Sequence, residues 1–348
     1  VPQQKSDSIN YDLGEKKSMS IRVAINGYGR IGRCILRAIF ETKRLSEFNV
    51  VAINDTSGIR STAHLTRYDS THGRFASTVT IDGQNLIVDD HPITITSERN
   101  PTKLPWKDLG VDLVFECTGK FTKRQDALQH IEAGAKKVLI SAPSNDADAT
   151  IVYGVNHHIL RPTDCVVSNA SCTTNCLAPV VKPLNDAIGI EYGLLNTIHA
   201  YTKDQLLLDG HHVDLHRARA AAHSIIPTKT GAAAAVDIVL PELKGRLDGF
   251  AMRVPTLNVS VIDLTFTPKR PTTVAEVNQI MSNAKNNVLH VNDEPLVSCD
   301  FNHYPASAVF DTTQTRVLGN MVKIIAWYDN EWGFSNRMLD TAHHMMSI

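Results

Sequence analysis

The run Ser171-Cys172-Thr173-Thr174-Asn175-Cys176 puts a thiol where a strand-like segment gives way to a helix. A cysteine at a helix N-terminus is expected to have a lowered pKa, because the aligned backbone dipoles favour the thiolate. The hydroxyls of Ser171 and Thr173, with free backbone amides, offer an anion-binding surface beside it. Cys172 then reads as a nucleophile, and Cys176, one turn on, as a core residue. Two other readings stand beside this one. An isolated cysteine is by default a buried structural residue, and a metal pair would need further ligands that no useful spacing supplies.

A nucleophilic thiol needs a proton acceptor. The chain has fifteen histidines, most of which should be packed or surface residues. His199 is the candidate, since it closes the strand-like NTIHAY just before an irregular stretch, where site residues project. His211, His212, His216 and His223 lie in that polar stretch and read as exposed. Arg253 sits inside an apolar strand, FAMRVPT, and wants an anionic partner. With Thr202, Arg217, Arg219 and Thr230-Gly231 it would suit phosphate-type subsites, although structural ion pairs explain such arginines as well.

A second chemistry comes from Gly27-Tyr28-Gly29-Arg30-Ile31-Gly32. GxGxxG alone is a weak signal, but here it follows a predicted strand and opens a predicted helix. Gly27 allows the tight turn, Gly29 lets the backbone approach a pyrophosphate, and Gly32 lets helix and strand pack. The helix N-terminus would face the phosphates. Asp55 ends the next strand-like run, about twenty residues past Gly32, where an acid can bind both ribose hydroxyls of an adenosine. The same acid repels a 2′-phosphate, so NAD is favoured over NADP. A purely structural glycine turn is the alternative.

The elements that must position these residues follow from periodicity. IRVAIN, FNVVAIND, VDLVFECTG and KKVLISAP are apolar strand candidates alternating with helical segments, which implies a parallel sheet and an α/β domain. Thr78 to Ile95 alternates apolar and polar and reads as an antiparallel hairpin insert. Beyond Cys172 come a helix with an early proline and the long alternating runs GFAMRVPT, NVSVIDLTFTP and MVKIIAWYD. These suit a broad antiparallel sheet with one covered face. The tail, SNRMLDTAHHMMSI, reads as a helix. The natural domain cut lies near residues 170 to 172.

Composition agrees with a soluble two-domain protein and excludes other classes. With 348 residues, about two domains are expected. Lys plus Arg is 35 against 36 for Asp plus Glu, a net charge of -1. That balance offers no basic field for nucleic acid or for an anionic membrane surface. Six cysteines are too few for a disulfide scaffold of this length. No apolar run reaches the ~18 residues that a bilayer crossing needs. Residues 1–18 are polar, lack the apolar centre of a signal peptide and are expected to be a leader or a floppy native extension.

Taken together, these residues resemble the phosphorylating glyceraldehyde-3-phosphate dehydrogenase family, bacterial type, from Met19 to the C-terminus. The strings that carry the likeness are INGYGRIGR, AINDT, RYDSTHG, ECTG, SAP, VYGVN, SNASCTTNCLAP, HAYTKDQ, IIPTKTGAA, RVPT, DFNH and WYDNEWGFSNRMLD. The resemblance implies a Rossmann NAD-binding domain of residues 19–171 completed by 330–348. It implies an α+β catalytic domain, 172–329, with a large mixed, mainly antiparallel sheet. It further implies a cytoplasmic homotetramer, in which an irregular S-loop, about 201–224, reaches toward a neighbour's cofactor. Cys172 matches the family's nucleophile and His199 its base. Arg30, Ile31, Asp55, Arg99, Thr118, Ser141 and Asn330 match its NAD contacts, with Asn330 at the nicotinamide carboxamide. Thr202 and Arg253 match the subsite for the substrate's own phosphate. Ser171, Thr173, Arg217, Thr230 and Gly231 match substrate and inorganic-phosphate contacts.

The chain departs from the family pattern in places. Gly210-His211 stands where many strictly NAD-using members carry Leu-Pro, and Asp55 is followed by Thr56-Ser57-Gly58, as in relatives that also accept NADP. Tolerance of NADP is therefore left open. Phe334 replaces an aromatic that carries a hydroxyl elsewhere. A rival within the superfamily is erythrose-4-phosphate dehydrogenase, which EPLVSCDFNH and NEWGFSNRMLD also resemble. A rival of another class is a non-catalytic NAD-binding or surface adhesion protein, against which the intact Cys172 and His199 argue.

Overall fold

The computed structural model describes residues 20–348, so the expected leader lies outside the described residues. Two large sheets organise the chain. The first has nine strands in the order 149–150, 166–168, 137–140, 113–116, 21–26, 48–54, 91–96, 85–88 and 79–82. From its first edge through 91–96 every pair is parallel. Strands 21–26 and 113–116 are buried at nearly every position, as expected of a sheet covered on both faces.

Helices α1 (Arg30–Glu41), α2 (Ile59–Arg67) and α3 (Arg124–Glu132) connect these strands. The stretch expected to form a separate hairpin insert does pair antiparallel along 79–82 and 85–88. Its last strand, His91–Thr96, pairs antiparallel with 85–88 as well, and by also running parallel to 48–54 it joins the insert to the main sheet. Ile93 and Ile95 are buried there, and that burial is what draws the strand in.

The second sheet has eight strands, ordered 226–229, 247–254, 190–200, 260–268, 321–328, 308–311 and 289–292, with 316–318 pairing on 321–328. It is mixed rather than the plain antiparallel sheet that alternation predicts. Strand Ile190–Ala200 runs parallel to Leu247–Val254 and antiparallel to Ser260–Pro268. Alternation reports which residues face inward and carries no information about strand direction. In Ser260–Pro268 every second residue is buried.

Helices α4 (Cys172–Ile188), α5 (Ala232–Val239) and α6 (Val274–Asn283) cover one face and share one core with it. On strands 190–200 and 247–254, Tyr192, Leu194 and Phe250 remain exposed at 65%, 69% and 51%. The final helix α7 (Trp332–Ser347) packs Phe334, Met338, Leu339 and Met345 into the first sheet's core, beside Ile35 and Ile39 of α1.

Candidate active site

Cys172 is the first residue of α4, and Ser171 is its cap: the Ser171 Oγ accepts the Thr174 N–H at 3.0 Å. The cap follows Ala170, a buried residue at φ 55°, so the chain turns sharply before the nucleophile. His199 stands one residue from the end of strand 190–200 and is almost fully buried. Its Nε2 lies 3.4 Å from the Cys172 Sγ. Its Nδ1 lies 2.6 Å from the Ala200 carbonyl oxygen, which can only accept. The two Arg253 Nη1 protons go to the Ala200 carbonyl and the Thr202 hydroxyl, so Nδ1 keeps its own proton on the Ala200 carbonyl and the Nε2 lone pair faces the thiol.

The expectation of a lowered thiol pKa is not met. Burial pushes the Cys172 thiol up, against the opposing pull of Arg253 and of hydrogen bonds from Thr173. Burial, helped by the Arg253 cation, pushes His199 down to about 3. The resting pair is therefore a neutral thiol beside a neutral imidazole. Proton transfer belongs to the attack itself, with His199 as acceptor.

Arg253 gathers the phosphate-type residues. It lies opposite His199 in the parallel register of the two strands. Its Nη1 is 2.9 Å from His199 Nδ1 and donates to the Thr202 hydroxyl at 3.1 Å. Its Nε is buried without a partner, so a largely buried cation has donor capacity left for an anion. No carboxylate pairs with it among the described residues, so the ion-pair explanation fails at this position. Arg217 is different, bridging Asp204 and the Thr228 hydroxyl. Thr230 and Gly231 cap α5, with the Thr230 Oγ1 accepting from Ala232 N. Thr173 turns its hydroxyl to Tyr328, 2.9 Å away. His211, His216 and His223 are exposed as expected, whereas His212 is half-buried and its Nδ1 accepts from Asp214 N.

The glycine motif lies between strands 21–26 and 113–116, where the strand order reverses direction and ligands of open sheets bind. Gly27 has φ 89°, and a Cβ there would lie 2.6 Å from Thr118 N. A Cβ on Gly32 would overlap the Gly27 carbonyl, while one on Gly29 would meet open space. Helix α1 has no side-chain cap and no acid in its first turn, so the N–H groups of Arg30 and Ile31 are free for a phosphate. The Arg30 side chain is not free, being clasped by Asp69 and Glu331. Its matching to an NAD contact therefore rests on its backbone alone. Asp55 stands at the end of strand 48–54 and accepts the Tyr28 N–H at 3.0 Å. Arg99 is exposed in the loop after strand 91–96, and Ser141 follows strand 137–140. The Asn330 Oδ1 accepts from Ser260 Oγ at 2.9 Å, which orients its amide. A dinucleotide fits these residues.

Two groups escaped sequence reasoning. Under the strand ends, the Glu116 carboxylate accepts from Asn26 at 2.6 Å, from the Thr118 N–H at 2.8 Å and from His130 Nε2 at 3.0 Å. The indole of Trp106 only donates, so His130 Nδ1 accepts and Nε2 carries the proton. This buried network fixes the Thr118 loop, and its signal was the acid closing an apolar run. Tyr328 is the other. Its hydroxyl joins Thr173 at 2.9 Å and Thr197 at 2.8 Å, and its ring meets His199 edge-on. Tyr328→Phe should lower kcat roughly tenfold by loosening α4 against strand 190–200. It should also cost about 1–3 kcal/mol in a denaturant titration, since two buried hydroxyls lose their partner.

Comparisons with known proteins identify the family. The family model described as glyceraldehyde 3-phosphate dehydrogenase, NAD binding domain, matches residues 21–124. The one described as the C-terminal domain of the same enzyme matches residues 171–330. A plasmid-encoded glyceraldehyde-3-phosphate dehydrogenase of Cupriavidus necator is 59% identical over 329 residues, 93% of this chain and 98% of its own. The enzyme of that name from Pseudomonas aeruginosa is 57% identical over 326 residues, again 93% and 98%. That from Zymomonas mobilis is 53% identical over 334 residues, 94% of this chain and 99% of its own. The chain belongs to the glyceraldehyde-3-phosphate dehydrogenase family, as an NAD-dependent dehydrogenase.

Proposed function

We propose that Cys172 and His199 carry out the oxidative phosphorylation of D-glyceraldehyde 3-phosphate to 1,3-bisphosphoglycerate. The approach of Cys172 Sγ to His199 Nε2, beside the partly unpaired Arg253, carries this reading. His199 takes the thiol proton as sulfur attacks the aldehyde carbon, giving a thiohemiacetal. The Cys172 N–H and the new imidazolium stabilise the oxyanion. NAD, when bound, accepts the hydride. The thioester left on Cys172 is cleaved by inorganic phosphate. Thr202 and Arg253 hold the substrate's phosphate; Ser171, Thr173, Arg217, Thr230 and Gly231 serve the aldehyde and the attacking phosphate.

NAD lies along Gly27, Gly29, Gly32 and the backbone of Arg30 and Ile31, with Asp55 at the ribose and Asn330 at the carboxamide. Arg99, Thr118 and Ser141 complete its contacts. Asp55→Ala should raise KM for NAD roughly tenfold, equal to ~1.4 kcal/mol. It should also narrow the preference over NADP, as steady-state assays with both cofactors would read.

We divide the chain into 19–171 with 330–348 and 172–329; the cores on the first sheet, one of which α7 joins, support this division, while Val152, Val155 and Ala170 pack into the core of the second sheet. The exposed apolar residues Leu207, Leu208, Val213 and Leu215 of the 202–224 segment support a homotetramer. The family resemblance supports a cytoplasmic location; no helix among the described residues is long and apolar enough to cross a membrane. The deciding assay follows NADH with glyceraldehyde 3-phosphate or erythrose 4-phosphate, each with and without inorganic phosphate. Phosphate-dependent turnover of the three-carbon aldehyde is expected. Preference for the four-carbon sugar without a phosphate requirement would reverse the choice.

A further inference from the structure

Asn175 shares the first turn of α4 with Cys172, yet it takes no part in the reaction set out above. Asparagine is a poor helix former, and this one is almost fully buried. Its side-chain amide donates to the Asn169 carbonyl at 2.7 Å and to the Ser171 carbonyl at 3.0 Å. Both partners only accept, so the amide nitrogen must be the atom that faces them. The Oδ1 on the other side of the amide has no hydrogen-bond partner. A buried acceptor left unpaired is destabilising, so the side chain is retained for its two donors.

The two carbonyls stand on either side of Ala170, whose φ is 55°. That conformation is unfavourable for a residue with a Cβ, and glycine would be the ordinary choice. The Ala170 methyl, however, is buried in the core that α4 shares with the second sheet. The turn keeps this methyl together with a strained backbone, and bonds from outside must hold it. Asn175 supplies them. The Ser171 carbonyl is gripped twice, since it also accepts the Asn175 backbone N–H at 2.9 Å.

The other side of the turn is fixed to the cofactor side of the molecule. The Asn169 N–H donates to the Ile140 carbonyl at 3.0 Å, and the Asn169 Oδ1 accepts from the Thr341 hydroxyl of α7 at 2.8 Å. The Ser168 hydroxyl accepts from the Ala170 N–H at 3.1 Å and donates to the Ala142 carbonyl at 2.7 Å. Ile140 and Ala142 flank Ser141 in the chain. Residues 168–170 are thus anchored on the first sheet, and Asn175 ties the first turn of α4 to them. Cys172 lies between the two anchors, and its sulfur meets His199 of the second sheet at 3.4 Å.

We propose that Asn175 is a positioning residue whose amide clamps the Ala170 turn and thereby sets the Cys172 thiol against His199. This rests on the reading of Cys172 as the nucleophile and His199 as its base. Without the clamp the turn relaxes toward an ordinary backbone and carries Cys172 away from the imidazole. The glycine turn, Asp55 and Arg253 stand on other elements and stay in place. The chemical step therefore slows while the affinity for NAD is kept. Alkylation of the thiol also slows, because its proton acceptor is out of reach. A site that merely opened would do the reverse, exposing the thiol and speeding alkylation.

The test compares the full chain as wild type, Asn175→Ala, Thr341→Val and Leu184→Ala. Asn175→Ala should slow NADH formation in the first turnover roughly tenfold to a hundredfold, with the Kd for NAD within about twofold of wild type. Its alkylation by iodoacetate at pH 7 should slow as well. Thr341→Val keeps the side-chain shape but frees Asn169 from α7, and should slow the first turnover roughly threefold. Leu184→Ala removes a buried side chain at the far end of α4, so it should lower the melting temperature and leave the first turnover unchanged. A wild-type first turnover in Asn175→Ala, or faster alkylation there, overturns the proposal. So does an equal slowing in Leu184→Ala, which would make the loss one of general stability. Should Asn175→Ala not fold, wild-type rates in Thr341→Val overturn it. Turnover by wild type carboxymethylated at Cys172 would instead remove the nucleophile reading beneath it.

Discussion

Cys172→Ser should reduce phosphorylating turnover by about 10^4-fold or more, with the fold intact. The thiol is the only group at the N-terminus of α4 that can both attack an aldehyde and leave as a thioester sulfur. A serine hydroxyl ionises far less readily than a thiol, and His199, pushed down to about 3, is a weak acceptor for an alcohol proton. Any ester that formed would also resist attack by inorganic phosphate better than a thioester does. Chain folding should survive, because a hydroxyl is slightly smaller than a thiol and leaves the Ser171 cap of α4 untouched. Far-ultraviolet dichroism and the melting temperature should therefore match wild type while NADH formation disappears. Turnover within tenfold of wild type would remove Cys172 from the mechanism.

The same thiol shows how far sequence could reach. Its place at a helix start was legible, because SNASCTTNC stands where a strand-like run gives way to a helical segment. Its protonation state was not. The N-terminal dipole argument takes a solvated thiol, whereas the structure buries it against Tyr328 and the apolar interior of α4. Arg253 was legible as a cation in an apolar strand, but its alignment with His199 depends on the parallel register of two strands that alternation cannot orient. Ser171 carried a hydroxyl at the right position, and the structure uses it as the helix cap. Arg30 was matched as a cofactor contact, and its side chain proved to be occupied by two carboxylates distant in sequence. Motifs thus identify a residue's type and neighbourhood, while long-range partners decide which of its atoms are free.

His199→Asn tests the proton account from the other side. General-base catalysis contributes roughly 10^2–10^4-fold, and a loss of that size in kcat/KM is expected. Asparagine can still reach toward the sulfur but cannot accept its proton at neutral pH. Cys172 would then have to ionise unaided, from a pKa that burial already raises. Alkylation by iodoacetate should therefore slow at pH 7, and its pH dependence should move to the alkaline side. Stability gives an independent reading. A histidine whose folded pKa lies below its unfolded value of ~6.5 leaves the unfolded chain binding more protons in acid. It thus destabilises the fold progressively as pH falls below that value, and the effect is absent above it. His199→Asn should lose this contribution, so its melting temperature should fall less between pH 6.5 and 5 than that of wild type. An unaltered alkylation profile would mean that another group takes the proton. Arg253 cannot, because its guanidinium stays protonated even though burial lowers its pKa. Tyr328 cannot either, because burial and the nearby thiols push its phenol far above the ordinary range. Among the residues around Cys172, only the imidazole offers a lone pair toward the sulfur, and that asymmetry assigns the base.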